Sequence, residues 1–218
     1  MPAKPLLDII HEDEFFVVVN KPPGMLSVPG KGPERADCVA ARVRQMYPGC
    51  PAQPEAHRLD MDTSGLIVMC RTVECKRLIQ KQFQDRVTAK KYIALLEGEL
   101  AEEIDDEGII ELPFRLDIDN RPIQIYDEVH GKMGITKWRK LGVENGWTRV
   151  EFRPVTGRTH QLRVHAAHAK GLGIPIVEDV FYGNGVRGQC RLRLHAAELS
   201  FFHPLSDEKI TFVSEPDF

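Results

Sequence analysis

Short apolar runs separated by polar turns dominate the chain, and this pattern predicts many strands and few helices. Residues 15–20 (FFVVVN) and 65–70 (GLIVMC) form two such runs, which are typical of buried strands. The same kind of pattern predicts further strands at residues 91–96, 109–112, 123–126, 136–141, 147–152, 191–197 and 210–213. The dipeptide Asn145-Gly146 predicts a hairpin between two of them.

Helical signals are confined to three segments. The first is residues 37–47, where Asp37 is expected to cap the helix and a Pro-Gly pair follows it. The second is residues 74–85, whose apolar side chains recur on one face. The third is residues 160–170, which Thr159 is expected to cap and a glycine to end.

Strands in series with scattered short helices predict an α+β fold with a mixed, mostly antiparallel central sheet, in a single domain over residues 1–218. The length of 218 residues and the 42% hydrophobic content suit a globular core. No apolar run approaches the roughly 20 residues that a membrane helix needs, and acidic residues near the N-terminus argue against a secretion signal. Five cysteines without a regular framework fit a reducing compartment, so we expect a cytoplasmic location.

The net charge of −3 at first argues against a nucleic-acid partner, because phosphates attract cationic surfaces. However, residues 97–112 contain eight acids and no Lys or Arg, and removing these eight acids from the net charge leaves +5. Residues 71–91 and 149–170 are basic by contrast. The charge is therefore asymmetric, which favours local attraction of a polyanion. Solvated faces of ordinary elements are the alternative explanation.

Residues 57–66 (HRLDMDTSGL) place charged and hydroxyl side chains between a Pro-rich linker and a predicted buried strand. A loop in this position can present side chains from a rigid scaffold. Asp60 and Asp62 are two positions apart, so on an extended backbone they point the same way. This spacing fits a catalytic carboxylate, a metal loop or a structural turn.

Residues 156–165 (TGRTHQLRVH) form a second polar motif. A Gly-Arg turn that opens a short helix is a natural anion site, because free backbone N–H groups face the ligand. His160, Gln161 and Arg163 are side chains that can reach such a site. The spacing of the nearby histidines does not match a helical zinc pair, so no metal site is predicted.

Taken in order, the motifs resemble those of the RluA-type family of RNA pseudouridine synthases. The matching segments are VVNKPPGMLSVPG ending at Gly30, HRLDMDTSGLIVM at 57–69, KKYIAL at 90–95, TGRTHQLRVH at 156–165 and RLHA at 193–196. The resemblance spans nearly the whole chain and implies the pseudouridine synthase fold, with a catalytic cleft across the sheet. It is closest to short members without a separate N-terminal RNA-binding domain.

The resemblance also implies residue roles. Asp60 matches the essential catalytic aspartate, Tyr92 the active-site tyrosine that packs on the uracil, and Arg163 the arginine that pairs with the aspartate. Arg58 matches the arginine that enters the RNA stack where the target base leaves. The other residues expected to contact RNA are His57, Thr63, Ser64, Gly65, Arg158, His160, Gln161 and Lys21.

The implied activity is the isomerisation of specific uridines in stem-loops of 23S rRNA or tRNA. We expect RNA to be the partner and the enzyme to be a monomer that needs no cofactor and no metal. Ile174 and Glu178 depart from the family pattern, which has His and Gly there, and an altered loop with altered substrate choice is expected. The alternatives are a non-catalytic RNA-binding module and a metal-dependent hydrolase that uses Asp60 and Asp62.

Overall fold

The computed structural model describes residues 7–101, 103–186, 188 and 191–218. Its strands are β1 (Asp8–Glu12), β2 (Phe16–Lys21), β3 (Ser64–Cys70), β4 (Ala89–Leu96), β5 (Glu107–Leu116), β6 (Gln124–Tyr126), β7 (Lys132–Glu144), β8 (Trp147–Pro154), β9 (Leu194–Phe202) and β10 (Lys209–Val213). Its helices are α1 (Val39–Met46), α2 (Val73–Gln84) and α3 (Gln161–Ala167), with a 3₁₀ turn at Pro33–Arg35.

The chain forms two compact units. The first contains the residues up to Lys90 together with Ala196–Asp217. The second contains Lys91–His195 and Phe218. The prediction of a single domain over residues 1–218, and that of a cleft across the sheet, stay predictions.

In the first unit the strand order is β1-β2-β3-β9, and β10 pairs with β9. The pairs β1–β2, β2–β3 and β9–β10 are antiparallel, and Val18 lies opposite Val68. Strand β3 is buried along its whole length, because α2 packs on it and strands flank it on both sides. Phe16, Ile79 and Phe201 are among the fully buried side chains of the core.

In the second unit the strand order is β4-β8-β7-β5-β6, with antiparallel registers throughout. The predicted hairpin joins β7 to β8, and both turn residues have positive φ, at 52° for Asn145 and 77° for Gly146. One face of the sheet, represented by Trp138 and Phe152, packs with α3 into the core of this unit. The α+β prediction with a mostly antiparallel sheet is confirmed.

Both predicted side-chain caps are wrong. Helix α1 is capped by Cys38, whose Sγ accepts a hydrogen bond from the N–H of Ala41 at 3.3 Å. Asp37 does not cap this helix because its carboxylate accepts two hydrogen bonds from Arg42, at 2.9 and 2.8 Å. Helix α3 has His160 as its N-cap residue, in a left-handed conformation and without a capping side chain.

Strand β1 was not predicted from the sequence. It lies at the edge of its sheet, and its positions alternate between exposed and half-buried. An edge strand of this kind carries no continuous apolar run, so it lacks the signal that identified the buried strands.

None of the described helices, of which α2 with 12 residues is the longest, is long and apolar enough to cross a membrane.

Gly65 is the position where the fold most clearly requires glycine. Its φ is 105°, and a Cβ atom there would overlap backbone atoms of Ala196 on the neighbouring strand. We expect Gly65→Ala to lower the free energy of unfolding by about 3 kcal/mol or more, since conformational strain and overpacking add. Urea unfolding of the purified variant measures this value.

Gly49→Ala is the matched control for this substitution. Gly49 also has a positive φ, at 99°, but a Cβ atom there meets nothing within 4 Å. Only the conformational term of about 1–2 kcal/mol applies to it. Equal losses for the two variants would show that the contact with Ala196 is unimportant.

Candidate active site

The motif at residues 57–65 is a loop that runs into β3, and three polar contacts fix its backbone. The hydroxyl of Ser27 donates to the carbonyl of Leu59 at 2.7 Å and accepts from its N–H at 3.1 Å. Nε2 of His57 accepts from the N–H of Val68 at 3.1 Å. The imidazole of His57 also stacks on Phe83, with ring centroids 4.6 Å apart.

The third contact comes from Lys21, which is fully buried at the end of β2. Its ammonium donates to the carbonyls of Pro22 and Met25, both at 2.9 Å, and to the carbonyl of Met61 at 2.8 Å. Burial lowers the pKa of Lys21 to about 7, and the charges of Asp62 and Asp60 oppose this shift. Three acceptors around one nitrogen suit the protonated form, which has three donors.

The two carboxylates of the loop are half-buried beside this ammonium. Among the described residues, Asp60 and Asp62 make no hydrogen bond and no ion pair through their side chains. Arg58 is exposed and likewise has no partner in that part of the chain. The loop therefore holds a carboxylate and an arginine in fixed places while leaving both available to a ligand.

The remaining predicted residues of the first unit are buried. Thr63 and Ser64 are 3% and 2% exposed, and Gly65 lies against Ala196. His57 and Lys21 hold the loop through the hydrogen bonds given above. Of the predicted polar residues of this loop, Arg58 is exposed and Asp60 is half-buried.

The second motif belongs to the second unit, and Gln161 organises it. Its side-chain oxygen accepts from the hydroxyl of Thr156 at 2.7 Å and from the N–H of Arg158 at 3.0 Å. Its amide nitrogen donates to the carbonyl of Ile135 at 3.0 Å and to the hydroxyl of Thr136 at 2.9 Å. These contacts satisfy the buried amide internally, so Gln161 fixes the turn from which the exposed Arg158 projects.

Arg163 forms a buried ion pair with Asp179. Nε and Nη2 of Arg163 donate to the two carboxylate oxygens at 2.7 and 2.6 Å, and both side chains are at most 1% exposed. The same carboxylate accepts from the N–H groups of Phe181 and Tyr182 at 2.9 and 3.1 Å. The predicted pairing of Arg163 with Asp60 stays a prediction.

Aromatic side chains surround this ion pair. The guanidinium of Arg163 lies 5.0 Å from the ring centroid of Phe181 and 5.5 Å from that of Tyr182. Nδ1 of the buried His160 is 2.8 Å from the hydroxyl of Tyr182, which also accepts from the N–H of Gln124. Tyr92 lies on β4, half-buried against the core of the same unit.

Glu178 stands where the family pattern has glycine, and its backbone adopts a left-handed conformation. Its φ is 63°, in the left-handed region that favours glycine. Its carboxylate accepts from the N–H of Arg191 at 2.9 Å and pairs with Nε of Arg193 at 3.4 Å. These contacts bind the Glu178 side chain on the protein surface. Ile174, the other departure from the family pattern, packs against the core of the second unit.

The sequence did not single out Ser27, Met61 or Asp179 as parts of the site. Asp179 had a usable signal, because segment 174–182 is apolar apart from Glu178, Asp179 and the tyrosine hydroxyl, and a buried acid in such a segment needs a partner. Ser27 bonds the backbone of Leu59, and Met61 takes part through its own carbonyl. Neither contact leaves a pattern in the sequence. Within the described residues, no group of three or more His, Cys, Asp or Glu side chains is arranged to hold a metal ion.

The loop at residues 57–65 thus presents a carboxylate and an arginine that have no side-chain partner in the described part of the chain. Comparison with known sequences identifies the family to which the chain belongs. The family model described as RNA pseudouridylate synthase matches residues 15–168. Proteins named dual-specificity RNA pseudouridine synthase RluA are 44% identical in Haemophilus ducreyi, covering 100% of this chain and 96% of that protein, and 40% identical in Yersinia pestis, covering 96% and 99%.

Solved structures agree with this family. Human RNA pseudouridylate synthase domain containing 1 has a TM-score of 0.76 at 27% identity, covering 100% of this chain and 87% of that one. Human RNA pseudouridylate synthase domain containing 4 shares the fold, with a TM-score of 0.72 at 24% identity over 96% of this chain and 89% of that one. The chain belongs to the RNA pseudouridine synthase family, which confirms the predicted fold and the predicted isomerase class.

The Arg163–Asp179 pair gives the first prediction for this site. We expect Asp179→Asn to lower the free energy of unfolding by about 3 kcal/mol or more, because it removes the charge that pairs with a buried guanidinium. Glu74→Gln, which removes the exposed ion pair of Glu74 with Arg77, is the control and should leave the melting temperature unchanged. Similar melting temperatures for wild type and Asp179→Asn would contradict this assignment.

His57 gives a second prediction, for acid conditions. Burial and the charge of Lys90 lower the pKa of His57 to about 3, from 6.5 in the unfolded chain. Between pH 6.5 and 3 the unfolded state therefore binds a proton that the native state does not, so stability falls as the pH falls. His57→Gln keeps an acceptor for Val68 but removes this proton.

We expect the free energy of unfolding of His57→Gln, measured by urea titration between pH 6.5 and 4.5, to depend less steeply on pH. The difference in slope should approach one proton, or about 1.4 kcal/mol per pH unit. Burial likewise lowers the pKa of His165 to about 4, so the variant keeps part of the acid sensitivity. Identical slopes would show that His57 is not buried in its neutral form.

Proposed function

We propose that this enzyme converts specific uridines to pseudouridine in stem-loops of 23S rRNA and tRNA. The observation that carries the proposal is the Asp60 carboxylate, which is held by a clamped loop and makes no hydrogen bond among the described residues. The relatives from Haemophilus ducreyi and Yersinia pestis are named dual-specificity enzymes, which supports action on more than one RNA. The cytoplasmic location and the monomeric state stay part of the proposal.

In the proposed reaction, the bond between N1 of uracil and C1′ of ribose breaks, the base turns, and C5 bonds to C1′. C5 loses its proton and N1 gains one, so the reaction is an isomerisation without redox change and without a cofactor. Positive charge develops at C1′, where an ionised carboxylate acts as nucleophile or stabiliser. Asp60 is assigned this role.

The carboxylates of Asp60 and Asp62 lie close enough to the buried ammonium of Lys21 for their charges to interact with it. Tyr92 is proposed to pack on the uracil. Arg163 is proposed to pair with the Asp60 carboxylate, as the family resemblance implies. The target base must leave its stack, which costs a few kcal/mol and is easiest in loops. Arg58, exposed and unpaired in the described part of the chain, is proposed to fill the gap by stacking and phosphate contact.

Lys21 and Gln161 receive a different role from the RNA contact expected from sequence. Both are buried, and contacts inside the protein use the hydrogens of the ammonium and the amide. We therefore assign them as positioning residues. Arg58 and Arg158 are exposed and remain the proposed RNA contacts.

The direct test is tritium release from RNA that carries tritium at C5 of uridine. Asp60→Asn should lower the rate by at least about 10²-fold, the lower range for one catalytic group, while RNA binding and folding are retained. Asp62→Asn is the matched control, since Asp62 shares the loop and the neighbouring charge of Lys21. It should keep most of the activity.

Three outcomes would contradict the proposal. Near-normal release by Asp60→Asn would exclude the assigned role of this carboxylate. RNA binding by the wild type without any tritium release would favour a non-catalytic RNA-binding module. Loss of activity on adding a chelator, restored by a divalent ion under conditions where RNA folding is unchanged, would favour the metal-dependent alternative.

A further inference from the structure

The segment before α1 brings another arginine to the catalytic loop. The 3₁₀ turn at Pro33–Arg35 belongs to the first unit, and Nη2 of Arg35 lies 3.9 Å from Sδ of Met61. Met61 directly follows Asp60 in the chain, and its carbonyl is the one that Lys21 holds. The guanidinium of Arg35 therefore contacts the residue that follows the proposed catalytic aspartate in the chain.

Packing orients the side chain of Arg35. A Cβ atom built on Gly30 would meet Cβ, Nε and Cδ of Arg35 at 2.9, 3.1 and 3.2 Å, so the arginine stem lies directly on the Gly30 backbone. The N–H of Gly30 also donates to the carbonyl of Arg35 at 2.9 Å. A side chain held along its stem loses less conformational entropy when its head group binds a ligand.

The charge of Arg35 is not neutralised within the part of the chain that the structure describes. Its side chain is exposed, and its polar contact there is the thioether of Met61. The acid of the same turn, Glu34, has its carboxylate against the backbone of Gly32. An oriented and uncompensated guanidinium beside a nucleotide-binding loop is suited to a phosphate, which it binds through two parallel N–H donors.

We propose that Arg35 binds a backbone phosphate of the RNA next to the target uridine, as a second arginine beside Arg58. This inference rests on the proposed function, because it assumes that the RNA is bound at the Asp60 loop. Arg35 thereby helps to place the target nucleotide, whereas Asp60 performs the chemistry. Binding of substrate, rather than turnover of bound substrate, should depend on it.

Steady-state tritium release and equilibrium binding of one labelled stem-loop RNA test this role. We expect Arg35→Ala to raise KM and Kd about 10-fold, the lower range for a hydrogen bond to a charged group, with kcat unchanged. The slope of log Kd against log salt concentration should decrease by about 0.7, the value for one phosphate contact on a single strand. Arg35→Lys should keep this slope and recover part of the affinity, because it keeps the charge without the planar donors.

One control variant separates this role from a general loss of surface charge. Arg77→Ala removes an exposed arginine that is already paired with Glu74, and it should change neither Kd nor the salt slope. If Arg35→Ala lowers kcat at constant KM, Arg35 acts through the loop and the proposal is wrong.

Unchanged Kd and salt slope in Arg35→Ala would also overturn the proposal. Different results would refute the proposed function itself: activity retained in Asp60→Asn, or no tritium release by the wild type. Loss of activity in Asp60→Asn together with an unchanged Arg35→Ala would refute the phosphate contact alone. Circular dichroism and the melting temperature of Arg35→Ala identify any loss caused by unfolding.

Discussion

The position of the loop that carries Asp60 depends on one buried cation, Lys21. Lys21 lies at the end of β2 without exposure to solvent, and its three donors meet three carbonyls, one of them belonging to Met61 in the loop. Burying an ammonium is expensive unless hydrogen bonds and opposite charges surround it. Here the backbone supplies the hydrogen bonds and the carboxylates of Asp60 and Asp62 supply the charge. Lys21 thus fixes the loop backbone, while the Asp60 carboxylate accepts no hydrogen bond from any described residue.

In the second unit, too, buried polar residues fix the backbone while other residues of the motif stay exposed. Gln161 uses both ends of its amide inside the turn, and Asp179 accepts four hydrogen bonds, two of them from Arg163. These buried polar groups determine the backbone, while Arg158 extends into solvent. In both units the motif therefore contains buried residues, which fix the backbone, and exposed residues such as Arg58 and Arg158, which remain accessible to a ligand.

Much of the fold could be predicted from sequence, because β2 and β3 are buried runs whose composition is unambiguous. The edge strand β1 could not, since it carries no continuous apolar run, and neither could the cap of α1, which depends on local competition between side chains. Asp37 is a good cap in isolation, but Arg42 binds its carboxylate in the folded protein. The same limit applies to the site: motif membership identified Gln161 and Lys21, yet only the tertiary contacts show that they are buried.

The balance of basic and acidic residues is also a poor guide to the partner, because ion pairs neutralise many surface cations. Arg77, Lys81, Arg115 and Arg149 are each matched by a nearby carboxylate. The acids of the 97–112 segment that belong to β5, Glu107 and Glu111, occupy exposed positions of that strand. By contrast, Arg35, Arg58 and Arg158 have no carboxylate partner in the described part of the chain. We infer that a few guanidinium groups without a described carboxylate partner supply the proposed attraction for RNA, and a net charge of −3 is compatible with it.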